Sequence, residues 1–184
     1  MKALLIVDLQ NDFLPGGALP APDGNEIISG INRIIDKFDL VVASKDWHPP
    51  DSVHFDKWPP HCVRNTPGAD FPAGLAKEKI NKEFLKGTAD SDDGYSAFEA
   101  TSADLDRFLR ENNVTHLFAC GLTTEYCVKA SSMDALAKGY HTFVIREATA
   151  GVKANPGDEE KAYLEMQDAG INVISIRALD TFLE

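Results

Sequence analysis

Cysteine, basic charge and long apolar runs are all in short supply in this chain, and each shortage narrows the reading. Three cysteines, an odd number at scattered positions, make no disulfide framework and point to a reduced compartment. Lysine and arginine total 18 against 29 acidic residues, a net charge of −11. With no basic stretch to offset it, that charge argues against a nucleic-acid or anionic-membrane partner. The first apolar run, Ala3 to Val7, is broken by Asp8, too early for the core of a signal peptide. No later segment is long enough to span a bilayer, so a cytoplasmic protein is expected. Repeats, linkers and low-complexity tracts are missing too, and the 184 residues read as one domain, 1–184.

What is there is an alternation of apolar and amphipathic segments. Ala3 to Val7 and Leu40 to Ala43 are continuous apolar runs, the pattern of strands covered on both faces. Between them Ile27, Ile28, Ile31, Ile34, Ile35 and Phe38 recur at helical spacing. Residues 79–85 can form a third strand ending at Lys86-Gly87, followed by an acidic segment, 90–94. Ser102 is placed to cap a helix that buries Leu105, Phe108 and Leu109. Further strands are expected at 116–120, 141–145 and 172–176. Helices are expected around Cys127, closed by Gly139, and over 159–167, closed by Gly170, with a short tail at the end. The fold class is therefore α/β: a three-layer, doubly wound, mainly parallel sheet of about six strands, order 3-2-1-4-5-6, with helices on both faces.

In such a sheet the site lies beyond the carboxyl ends of the strands, where the strand order reverses. Asp8 ends the first strand and Cys127 follows the strand that starts near His116, so the two can meet. The stretch from Ser44 to about Leu75 leaves the second strand at the same edge. A loop of that length in a compact domain is usually functional or disordered, and its two tryptophans and three histidines argue against disorder.

Cys127, in or near the first turn of a helix, feels unpaired N–H groups and a helix dipole that favour thiolate. It reads either as a nucleophile or as a small core residue. Asp8 is a turn or capping residue or, beside a cysteine, a general base whose dry pocket raises its pKa towards the thiol's. Lys86 alone would be a surface lysine; at a strand end it shares a rim with Asp8 and could hold that carboxylate and stabilise a thiolate. Asp46, His48, His54 and His61 group four N/O donors in one window, which favours a divalent metal with open positions, such as zinc or ferrous iron. Cys62 and Cys120 read as buried. Phe13, Trp58 and Tyr95 flank these groups and can sandwich a flat ring. His116 and His141, at strand starts, read as structural or exposed.

Taken together, Asp8-Leu-Gln-Asn-Asp-Phe13, Asp46-Trp-His48…His54, Trp58-Pro-Pro-His-Cys62, Phe84-Leu-Lys86-Gly87 and Gly121-Leu-Thr-Thr-Glu-Tyr-Cys127 resemble the nicotinamidase branch of the isochorismatase-like cysteine hydrolases. The resemblance runs from about residue 1 to 153. It implies a triad of Asp8, Lys86 and Cys127, and one divalent ion held by Asp46, His48, His54 and His61, zinc first, with iron or manganese in other members. It also implies a cis peptide between Leu122 and Thr123, an oxyanion hole from the Thr123 and Cys127 amides, and a substrate pocket of Phe13, Leu19, Trp58, Tyr95 and Tyr126. The implied activity is hydrolysis of nicotinamide, a small-molecule substrate, to nicotinate and ammonia through a thioester. Activity on pyrazinamide, and association of copies into a homo-oligomer, are left open. Many relatives carry Ala where this chain has Thr123 and Asp where it has Glu125; neither side chain is asked to do chemistry. The alternative is another superfamily amidase, acting on a ureido or carbamoyl compound without a pyridine-binding metal. Isochorismate hydrolysis does without the cysteine, and a non-catalytic metal-binding or redox module has no use for the Asp–Lys–Cys set.

Overall fold

The structure is a computed structural model that describes residues 1–91 and 94–183; Asp92 and Asp93 of the acidic segment, and Glu184, lie outside the described residues. Six strands form the sheet: β1 (Lys2–Val7), β2 (Leu40–Asp46), β3 (Lys82–Lys86), β4 (His116–Leu122), β5 (His141–Ala150) and β6 (Asn172–Ile174). Their order is β3-β2-β1-β4-β5-β6 and every pairing is parallel. The expected order is therefore the observed one, and the reversal lies between β1 and β4.

The uninterrupted apolar runs have the reason the pattern implied, because β1 contributes to both layers. Leu4 and Ile6 enter one core, while Ala3, Leu5 and Val7 enter the other. The first core is covered by α1 (Gly24–Ile34) through Ile27, Ile31 and Ile34, and by α5 (Leu179–Leu183) through Leu179. The second is covered by α2 (Leu105–Glu111), α3 (Lys129–Ala137) and α4 (Asp158–Ala169), through Leu105, Leu109, Ala135 and Met166. Full burial of an aliphatic side chain is worth roughly 1.5–3 kcal/mol, so two such layers fix the sheet and with it the geometry of its edges.

Four local expectations need correcting. β2 continues past its apolar run through Ser44, Lys45 and Asp46, because these polar residues pair in register with Phe84, Leu85 and Lys86 of β3. The cap of α2 is Asp104, whose carboxylate accepts from the Arg107 N–H at 2.9 Å, while the Ser102 hydroxyl accepts from the Leu85 N–H at 2.8 Å. β5 extends to Ala150 across an irregularity in its pairing with β4. The terminal residues are not a loose tail: α5 buries Leu179 completely, and Lys37 pairs with Asp180 at 2.5 Å. His116 and His141 pair across β4 and β5 with their rings stacked 4.6 Å apart. Among the described residues, no helix is long and apolar enough to cross a membrane.

Candidate active site

The carboxyl ends of four adjacent strands supply the reactive groups. Asp8 follows β1, Asp46 ends β2, Lys86 ends β3, and Cys127 follows the turn that leaves β4. Asp8 holds a left-handed backbone (φ 43°), and its Oδ1 accepts from the Ser44 hydroxyl at 2.7 Å. Lys86 is fully buried. Its Nζ lies 2.8 Å from Asp8 Oδ2, 2.5 Å from Asp46 Oδ1, 2.5 Å from the Gly94 carbonyl and 3.6 Å from Cys127 Sγ. The surface reading of this lysine is overturned: two carboxylates in a dry pocket draw its charge inward. Gly87, beside it, has φ +62°, and a Cβ there would stand 2.5 Å from His48 Cε1.

Cys127 lies in a wide single turn, Thr124–Val128, in which the Val128 N–H donates to the Thr123 carbonyl, five residues back, at 3.1 Å. Turns of this width inside helices recur at functional sites. α3 continues directly from it, and the Leu122–Thr123 peptide is cis. An oxygen of each carboxylate, Asp8 and Asp46, and the Cys127 Sγ lie within 4.8 Å of one another.

Burial sets the protonation pattern. It pushes Asp8 up to about 6 even though the Lys86 ammonium opposes it. Burial alone would raise Asp46 as well, but Lys86 and then His48 outweigh it and hold this carboxyl well below the usual range. Burial would neutralise Lys86, and the charges of Asp46 and Asp8 keep it protonated. Cys127 is pushed well above the ordinary thiol range, first by burial and then by the Asp8 and Asp46 charges, with Lys86 acting the other way. The thiolate expected from the helix position is thus not the resting form. Desolvation and two carboxylates outweigh one end of a helix, and the sulfur keeps its proton until a base removes it.

Three buried histidines stand beside this cluster. His48, His54 and His61 each offer a ring nitrogen within 4.8 Å of the others. Asp46 Oδ2 lies 3.7 Å from His48 Nε2 and 3.9 Å from His61 Nε2. His61 Nδ1 lies 2.7 Å from the Pro59 carbonyl, which fixes it as the donor nitrogen and turns the Nε2 lone pair towards the cluster. Burial lowers the His61 pKa and keeps that lone pair free. Among the described residues neither ring nitrogen of His48 has a hydrogen-bond partner, although the residue is almost completely buried. A buried imidazole in that state calls for a ligand. Three imidazoles and a carboxylate so arranged fit a divalent ion.

The histidines, Asp46 and Cys127 open on a cavity of about 390 Å³, its mouth included, walled by Phe13, Leu19, Trp58, Tyr95, Tyr126 and Val152. Phe13 packs on His61 (centroids 5.3 Å apart), Trp58 meets Tyr126 edge-on at 5.1 Å, and the Trp58 indole N–H donates to the Tyr95 hydroxyl at 3.1 Å. Asp8 and Lys86 do not line this cavity; they reach it through Cys127 and Asp46. Val152, Ser44 and Gln10 were not legible beforehand. The fully buried Gln10 donates to the carbonyls of Asp46 (2.8 Å) and Ala69 (2.9 Å) and accepts from the Asp46 N–H (2.8 Å). Its partners stand far along the chain, so no local spacing could reveal it; a glutamine in the turn that follows an apolar strand was the one available hint.

Residues 2–178 match the isochorismatase domain. The chain belongs to the isochorismatase family. Within this family it is 37% identical to the nicotinamidase of Escherichia coli (strain K12), over 95% of each chain. Among solved structures, the pyrazinamidase of Pyrococcus horikoshii in complex with zinc is 42% identical, with a TM-score of 0.85 over 95% of this chain and 98% of that one. PnC1 from L. infantum in complex with nicotinate is 33% identical, with a TM-score of 0.90 over 97% of this chain and 94% of that one.

Proposed function

We propose that the chain is a metal-dependent cysteine amidohydrolase that converts nicotinamide to nicotinate and ammonia. One observation carries the reading: the Asp8–Lys86–Cys127 cluster shares Asp46 with a buried three-histidine set, beside a cavity walled by aromatic side chains. Three free thiols suit a reduced compartment, and the reading places the enzyme in the cytoplasm.

The chemistry follows from the protonation pattern. Asp8 takes the Sγ proton as the sulfur attacks the carboxamide carbon, so the thiolate exists only in the presence of its target. The carbonyl oxygen becomes an oxyanion, received by the Thr123 and Cys127 backbone N–H groups; in other hydrolases one such donor is worth roughly 3–4 kcal/mol. Asp8 returns the proton to the nitrogen, the C–N bond breaks, and ammonia leaves a thioester. Water attacks the thioester with Asp8 again as base, the C–S bond breaks, and the sulfur recovers its proton as nicotinate forms. Lys86 stays charged throughout and keeps Asp8 aimed. Asp46, His48, His54 and His61 would hold the metal, zinc in this proposal, which when bound supplies an electrophilic anchor that orients and polarises the pyridine ring. Phe13 and Trp58 hold the ring faces and exclude water.

The deciding experiment is ammonia release from nicotinamide by purified protein, with metal analysis of the same sample. Asp46→Ala and His48→Ala are expected to lose both the ion and the activity. Full activity in metal-stripped protein or in these variants would favour the ureido or carbamoyl amidase reading instead. The pH profile is a further check. Asp8 must be ionised to accept the proton and titrates at about 6. The value of kcat/KM is therefore expected to fall about tenfold per pH unit below that point and to level off above it. A profile flat down to pH 4.5 would remove Asp8 from the role of base.

A further inference from the structure

We infer that Glu125, two residues before the nucleophile, is a positioning residue that sets the Val152 wall of the substrate cavity and so governs affinity rather than chemistry. Its carboxylate is buried and faces the turn that leaves β5. One oxygen accepts from the Val152 N–H at 3.1 Å, the other from the Lys153 N–H at 2.8 Å. Both amides lie past the last strand residue, Ala150, where no ladder partner is available to them. Charge-assisted bonds of this kind are about twice as strong as neutral ones.

The turn is built around that carboxylate. A Cβ at Gly151 would stand 2.5 Å from Glu125 Oε1, so the chain passes close enough only because glycine is there. Lys153 has a left-handed backbone (φ 57°), and its ammonium pairs with Asp23, ahead of α1, and with Glu159 of α4 at 3.5 Å. Val152, between the two, is a wall of the cavity that also contains Cys127 and Phe13. A single side chain therefore links the nucleophile's own turn to the stretch that carries Val152 into the cavity lining. Glu125 makes no contact with Asp8, Lys86 or Cys127 side chains among the hydrogen bonds and ion pairs of the described residues, so its loss should leave proton transfer alone.

The inference rests on the cavity being the nicotinamide site, and the experiment separates the two. Steady-state kinetics with nicotinamide would be measured for wild type, Glu125→Ala, Glu125→Gln and Gly151→Ala, with binding of nicotinate followed by calorimetry. Glu125→Ala is expected to raise KM and the nicotinate Kd by at least about tenfold, since both charge-assisted bonds to the turn are lost, with kcat within about threefold of wild type. Glu125→Gln keeps the shape but can present only one accepting oxygen, and should lie between. Gly151→Ala leaves Glu125 in place, crowds its carboxylate, and should reproduce the KM signature, so the test stands even if Glu125→Ala folds poorly. Loss of kcat at unchanged KM, or no change in any variant, would overturn the role of Glu125. Absence of turnover in wild type would instead overturn the functional proposal.

Discussion

Alanine at position 127 is expected to lower kcat for nicotinamide by on the order of 10⁴–10⁶-fold while the protein stays folded and keeps its metal. The sulfur is the nucleophile that borders the cavity beside the Asp8 base, and without it Asp8 has no thiol to deprotonate. The change removes a single sulfur atom and leaves the Lys86 ion pairs untouched, so melting should barely move. Because Asp8 and Cys127 act as a unit, Asp8→Ala and the double variant should lose about as much as the single ones, not their product. Serine should rescue little, since a carboxylate that titrates at about 6 is poorly matched to a hydroxyl. Ammonia release, circular dichroism and metal analysis on the same preparations give the result. Substantial turnover by Cys127→Ala would end the thioester mechanism.

Replacing Lys86 with methionine should be the most damaging single change to stability. The ammonium is fully buried between Asp8 and Asp46, at 2.8 and 2.5 Å. Methionine fills most of the volume but leaves two carboxylates facing each other without a counter-charge. Breaking a buried ion pair from one side costs about 3–5 kcal/mol. For a chain of this size that is a drop of roughly 6–20 °C in Tm. The sign with pH is also fixed. Lys86 opposes the upward push on Asp8, so its removal drives the Asp8 pKa higher still. The acid limb of kcat/KM should then move to higher pH, and the Tm deficit should shrink as acid protonates one carboxylate. Thermal melts across pH 5–8, alongside activity, would show this; a variant as stable as wild type at pH 8 would contradict it.

The sheet order could be anticipated because the runs Ala3 to Val7 and Leu40 to Ala43 admit no solvent-facing side, and the carboxyl-edge rule then placed Asp8 and Cys127 together. Three kinds of feature escaped. Ser44, Lys45 and Asp46 look like loop because they are polar, yet they pair with β3 as strand residues, their burial made tolerable by partners that only the fold assembles. Lys86 and Cys127 were visible as residues but not as charge states. Exposure decides both, and desolvation here reverses the pull of the helix end on the thiol. Gln10 and Glu125 were silent for a third reason: each clamps backbone amides far along the chain, and such a duty leaves no trace in residue spacing.

The three thiols differ in one practical respect. Cys62 and Cys120 are completely sealed, and burial raises the pKa of each, whereas Cys127 alone borders the cavity beside a base. A small, ring-shaped electrophile should therefore mark one sulfur per native chain and no more. Counting that label against total protein would measure the fraction of competent molecules in any preparation, independently of the assay used to judge them.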